Sequence, residues 1–88
     1  MAETAQRIDK WLWFSRLVKT RTLAAKSVEE GAVRINRQKI VKPSHAVSVG
    51  DVLTLALHGR VRVLRVEGIG TRRGPAPEAQ ALYTELVN

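Results

Sequence analysis

"RTLAAKSVEEGAVRIN", residues 21–36, changes its hydrophobic period part-way along. Up to Gly31, the residues Leu23, Ala24, Ser27 and Val28 recur at the three- and four-residue spacing of one inward helical face. Thr20, just upstream, has the hydroxyl of an N-cap. Gly31 tolerates the positive φ that ends many helices. Beyond it the period is two: Val33 and Ile35 point inward and alternate with Arg34 and Asn36, which reads as a strand. A helix handing over directly to a strand, in a chain of 88 residues, predicts one small α+β domain.

Upstream, "DKWLWFSRLVKTR" (9–21) holds both tryptophans and the only phenylalanine. Ile8, Trp11, Leu12 and Ser15 share one helical face, so a first helix is expected over about residues 7–15. Trp11 lies on that stripe and belongs to the core. Trp13 and Phe14 flank it; partial burial is expected, with stacking on an RNA base as the alternative. Asp9 sits in the first turn, where a carboxylate suits the helix dipole. It is read as pairing with an arginine or capping backbone, because no His, Cys or second carboxylate accompanies it. Residues 1–6 are small and polar and are expected to be flexible.

Downstream, "RQKIVKPS" reads as a turn and a short partner strand over 39–41. Gly50 and Asp51 form a turn before a strand at Val52–Leu57. "HGR" is a tight connection. The next strand carries Val61 and Val63, with Arg62 and Arg65 on an exposed partner face. "GTRRGPAP" is a loop by its Gly and Pro content. "PEAQALYTEL" is expected to be a short C-terminal helix with Pro77 in its first turn. The expected architecture is two N-terminal helices packed on a small twisted, mostly antiparallel sheet, with a short C-terminal helix. Residues 7–88 form a single domain in this reading.

Composition narrows the function. Cysteine is absent, which removes disulfides, thiolate catalysis and cysteine-ligated metal. His45 and His58 are isolated, so no metal site or other cofactor is expected. No apolar run is long enough to span a bilayer, and "MAETAQRIDK" lacks the pattern of a secretory signal; a cytoplasmic location is the expectation. The net charge is +7, and it is one-sided. Residues 1–45 carry ten Lys/Arg against four Asp/Glu, while residues 46–88 carry five against four. Such a concentrated field marks a polyanion binder rather than a surface tuned for solubility, which favours mixed signs.

The basic residues fall in three clusters: Arg7, Lys10 and Arg16 on the first helix; Lys19, Arg21 and Lys26 on the second; Arg34, Arg37, Lys39 and Lys42 on the first hairpin. Thr20 and Arg21 open the second helix, where free N–H groups favour phosphate. Packed together, helices and hairpin would give one continuous basic face suited to folded RNA. Asn36 either reads a base edge or stabilises its turn. Arg72 and Arg73, on the Gly/Pro loop, are candidates for a second RNA contact.

"RIDKWLWFSRLVKTRTLAAKSVEEGAVRIN...KPSHAVSVGD" resembles the S4 RNA-binding domain, the module named after small-subunit ribosomal protein four. The likeness rests on Arg7 and Asp9, on Thr20-Arg21, on Gly31, Val33 and Asn36, on Lys42-Pro43 and on Gly50-Asp51. "RIDKWLW", "KTRTLA" and "RRGPAPEAQALY" further resemble the ribosome-associated heat-shock protein fifteen family. That resemblance implies the S4-like αL fold and no enzymatic activity. It implies binding to rRNA and peptidyl-tRNA on dissociated large ribosomal subunits that carry a nascent chain, in recycling or quality control. The family usually has Asn-Gly at the first hairpin turn. Asn36-Arg37 stands here, which implies a longer or strained turn and adds Arg37 to the phosphate contacts. A monomer is expected. The competing readings are an accessory module for another structured RNA and a DNA-binding module, though a hairpin after Gly31 is wrong for a helix-turn-helix. An enzyme is disfavoured by the lack of any catalytic constellation.

Overall fold

Helix and strand meet at Gly31, where φ is +81°. The Gly31 and Ala32 N–H groups donate back to the carbonyls of Val28 and Ser27, satisfying the end of the helix. The chain is described by a computed structural model over residues 5–71 and 74–87. Its elements in order are β1 (Ala5–Arg7), α1 (Ile8–Phe14), α2 (Arg21–Glu29), β2 (Val33–Ile35), β3 (Gln38–Lys39), β4 (Ala46–Ser48), β5 (Val52–Leu57), β6 (Arg60–Val66), α3 (Ala76–Gln80) and β7 (Tyr83–Val87). One sheet has the order β3-β2-β5-β6-β7, and β1 pairs with β4 separately. Every pairing is antiparallel. The α+β class and the mostly antiparallel sheet agree with the sequence reading.

The core joins Ile8, Trp11 and Leu12 of α1 to Ala24 and Val28 of α2. Val33 and Ile35, Leu53 and Leu55, and Leu64 and Val66 complete it from the strands. Trp11 is fully buried, and its indole N–H donates to the Gly68 carbonyl at 2.8 Å, as a buried indole requires. The half-buried Trp13 and Phe14 lie against each other with centroids 5.3 Å apart.

Several expectations are corrected. Leu23 is not inward but 46% exposed. The buried stripe of α2 narrows to Ala24 and Val28, four residues apart, and Leu23 lies about 100° round the helix from Ala24. The partner strand is only Gln38–Lys39; Ile40 then turns into the core and Val41 is exposed. In β6 the buried side chains are Leu64 and Val66, while Val61 is exposed. The register sets this. Leu53 faces Leu64, and Ala56 faces Val61. Arg65 therefore shares the outer face with Val61 and Val63, and Arg62 lies on the inner one.

The largest correction is at the C-terminus. The helix stops at Gln80, and Tyr83–Val87 is a strand paired to β6. Tyr, Thr and Val suit a pleated surface, and the pairing covers an edge of β6 that would otherwise be open. A clamp holds it: Arg62 donates to both carboxylate oxygens of Glu85, at 2.9 and 2.6 Å, with its guanidinium 5.9 Å from the Tyr83 ring centroid. At the other end, Ala5 and Gln6 are not free. They pair with Ser48 and Val47, and the Gln6 amide donates to the Gly70 carbonyl at 2.6 Å. Residues 1–4 lie outside the described ones.

The hydrogen bond from Arg62 holds the Glu85 carboxyl below the usual carboxylate range. Its contribution is therefore present above the unfolded value near 4.3 and is lost as pH falls through the lowered folded value. Glu85→Ala should lower stability by about 0.5–1 kcal/mol at neutral pH and speed amide exchange in β7 selectively. Urea unfolding followed at pH 7 and pH 3 should show the difference between the variant and the parent shrinking at the lower pH.

Candidate nucleic-acid interface

A carboxylate lies at the centre of the basic N-terminal region. Asp9, in the first turn of α1, is only 3% exposed. A buried charge needs partners. Arg7 supplies two, with Nε donating to Oδ1 at 3.1 Å and Nη2 to Oδ2 at 2.9 Å. The Lys10 N–H donates to Oδ1 at 2.8 Å. The Arg21 Nε, from the first residue of α2, stands 3.9 Å from Oδ2. One carboxylate thus ties the starts of both helices and aligns two half-exposed arginines.

The loop after β3 closes on the same place. The Ile8 N–H donates to the His45 carbonyl at 2.9 Å, and the Asp9 N–H to the Pro43 carbonyl at 3.3 Å. The loop that begins at Lys42 is thereby held beside Arg7, Lys10 and Arg21. Thr20 takes β geometry, and its hydroxyl oxygen accepts the Leu23 N–H at 3.1 Å. That N-cap stabilises α2 by about 1 kcal/mol. The Thr20 oxygen is therefore already engaged, while Lys19 and Arg21 beside it are exposed.

Not every candidate joins this group. Arg16 follows the other end of α1, with φ +62°, and its Nε donates to the Gly74 carbonyl at 2.8 Å. Arg34, Arg37 and Lys39 sit on the β2–β3 hairpin. Lys39 lays its stem over Gly31, beside the C-terminal, electronegative end of α2. That end is about 15 Å along the helix from Arg21. The expected continuous face is better described as two groups at opposite ends of α2. Lys26 is exposed between them. Arg72 and Arg73 lie outside the described residues.

Asn36 stabilises its turn. Its Nδ2 donates to Asp51 at 3.1 Å, and its Oδ1 accepts the Val52 N–H at 3.0 Å. With Ile35 opposite Gln38, only Asn36 and Arg37 form the loop, at φ +51° and +72°. Positive φ at both positions is the two-residue hairpin geometry that glycine normally eases. The turn is therefore short and restrained rather than longer. Asp51 also accepts the Ser48 N–H at 2.8 Å, so the Gly50-Asp51 turn and the hairpin brace each other.

Neutralisation differs between the two halves. Arg62 pairs with Glu85 and Arg65 with Glu67; hydrogen bonds from Arg65 first, then Thr84, hold the Glu67 carboxyl low. Among the described residues, no acid pairs with Lys10, Lys19, Lys26, Arg34, Arg37, Lys39 or Lys42. Sequence reasoning missed the backbone carbonyls of Pro43 and His45, because a carbonyl contact leaves no mark on side-chain identity. It also missed the Arg62–Glu85 clamp, which needed β7. Among the described residues there is no group of three or more acids or histidines placed to hold a metal, and no helix long and apolar enough to cross a membrane.

A family model for the S4 domain matches residues 6–53. The chain belongs to the S4 domain family. This S4 domain is 41% identical over 85 residues to the heat shock protein 15 homolog of Haemophilus influenzae, covering 97% of this chain and 64% of the relative. The chain thus spans somewhat under two thirds of that relative's length. It is 35% identical to the RQC P-site tRNA stabilizing factor of Bacillus subtilis, over 91% of each chain. A trimeric solved structure of Vibrio cholerae heat shock protein 15 superposes with a TM-score of 0.87 at 44% identity, covering 93% of this chain and 82% of that one.

Asp9→Asn keeps the shape and removes the charge that holds Arg7 and Arg21. Stability should fall by about 2 kcal/mol, read as a lower urea midpoint with an unchanged slope.

Proposed function

We propose that this S4 domain is a non-enzymatic RNA-binding protein of the translation machinery. It acts in the cytoplasm on dissociated large ribosomal subunits that still carry a nascent chain, gripping rRNA and peptidyl-tRNA in recycling or quality control of stalled particles. The observation that carries the reading is the Asp9-centred group: a buried carboxylate orients Arg7 and Arg21 beside Lys10, Lys19 and Lys42. Arginine forks suit phosphate oxygens, and lysines add mobile point charges. The names of the relatives, a heat shock protein 15 and a factor that stabilises P-site tRNA, support a ribosomal partner. Residues 7–88 are taken as one RNA-binding unit: Thr20, Lys26 and Lys42 belong with the central grip, and Arg16, Arg34, Asn36, Arg37 and Lys39 lie outside it as further contacts. Arg72 and Arg73 are proposed as a further RNA contact. The protein works as a monomer in this reading; the Vibrio cholerae relative, by contrast, is trimeric, and light scattering distinguishes one copy from three.

Phosphate neutralisation makes binding salt-dependent. Affinity for purified large subunits should fall roughly 10³-fold between low and moderately high salt. Arg21→Ala should weaken binding about tenfold and reduce the salt slope by about one, with the fold intact by circular dichroism. In lysate gradients the protein should travel with free large subunits and leave them when puromycin releases the chains. Protein that stays at the top of a low-salt gradient would contradict the ribosomal partner and point to another structured RNA or to DNA.

A further inference from the structure

Of the three cations on the β2–β3 hairpin, Lys39 reaches the electronegative end of α2, while Arg34 and Arg37 stand exposed. Arg34 stands directly opposite Lys39 across the two strands, and like charges in that position repel. Arg37 adds a third cation in a left-handed conformation, which non-glycine residues adopt uncommonly. Among the described residues no acid answers any of the three. Unfavourable local choices that persist together point from the structure to a ligand.

The surface beside them is a slot. On the outer face of the sheet, away from the helices, a shallow cavity of about 470 Å³ is lined by Asn36, Arg37, Val52, Thr54 and Val63. Thr54 lies opposite Arg34 on one side and Val63 on the other, so Arg34 and Arg37 flank the opening. Valine side chains offer apolar walls to a flat ring, and the Thr54 hydroxyl both donates and accepts. The side chain of Asn36 is already used on Asp51 and Val52, which holds the rim in place.

We propose that this slot is a second RNA site, separate from the Asp9-centred grip: Arg34 and Arg37 hold the phosphates of a single-stranded segment, and one unpaired nucleotide enters between Val52 and Val63. The proposal rests on the RNA-binding reading and deepens it. The two grips, one at the start of α2 and one on the outer face of the sheet, engage a folded RNA and its single-stranded flank together. The occupant is RNA because Arg34, Arg37 and Lys39 outnumber Asp51 around the slot, a net positive charge that repels a second copy of this basic chain and suits a polyanion.

The test uses fluorescence anisotropy with two RNAs, a blunt hairpin and the same hairpin with a short single-stranded 3′ tail. The parent protein should bind the tailed RNA roughly tenfold more tightly. Arg37→Gly should abolish that advantage and keep or raise the melting temperature, because glycine fits the turn. Thr54→Val should reduce the advantage without affecting the blunt hairpin, and tail-dependent amide shifts should centre on Thr54 and Val63. A tail advantage that survives Arg37→Gly, or a parent that binds both RNAs equally, would overturn the second site and leave the RNA-binding reading standing. A parent that binds neither RNA would overturn both.

Discussion

A carboxylate shut away from water at the start of a helix constrains everything around it. Asp9 is buried and charged, so the chain must bring donors to it. Those donors are the Arg7 fork, the Lys10 amide and, at longer range, Arg21. Meeting that demand holds the entry from β1 through Arg7 and brings the start of α2 close through Arg21. The loop before β4 closes on the same turn through backbone alone: its Pro43 and His45 carbonyls accept the first N–H groups of α1. The same contacts leave two guanidinium groups half in solvent and restrained. Fold and interface therefore share one interaction: the anion that organises the packing also presents the cations.

The distribution of pairing extends this logic. The C-terminal half pairs two of its arginines internally, Arg62 with Glu85 and Arg65 with Glu67. These pairs bind the last strand and reinforce the sheet. Among the described residues the N-terminal half leaves most of its cations without an acid, and there the excess behind the net charge of +7 is concentrated. A surface built for solubility would mix the signs. The segregation instead separates an end with internal ion pairs from a cationic end within 88 residues.

Much of this was legible in the sequence because it depends on period and punctuation. The switch from a helical repeat to alternation at Gly31, the Thr20 cap and the buried Trp11 all follow from local pattern, and so does the class of the fold. Asp9 was readable as a partner for arginine because no second catalytic group stood near it. The rest depends on pairing between distant segments. Nothing local distinguishes "ALYTEL" as helix from Tyr83–Val87 as strand; the exposed edge of β6 decides, and it exists only once the sheet is formed. The burial of Leu64 rather than Val63 is likewise a matter of register with β5. The division of the basic face into two groups depends on the length of α2. Carbonyl contacts from Pro43 and His45 carry no side-chain signature at all.

The central claim is that Asp9 contributes to RNA binding through the arginines it orients. The most direct measurement is a double-mutant cycle on affinity for large ribosomal subunits, with Asp9→Asn and Arg21→Ala singly and together. Residues that share one network couple, and distant ones add. Arg21→Ala should lose most of its effect once Asp9 is neutral, giving a coupling of about 1 kcal/mol. Fully additive losses would contradict it and would leave Asp9 a structural residue beside, rather than within, the grip.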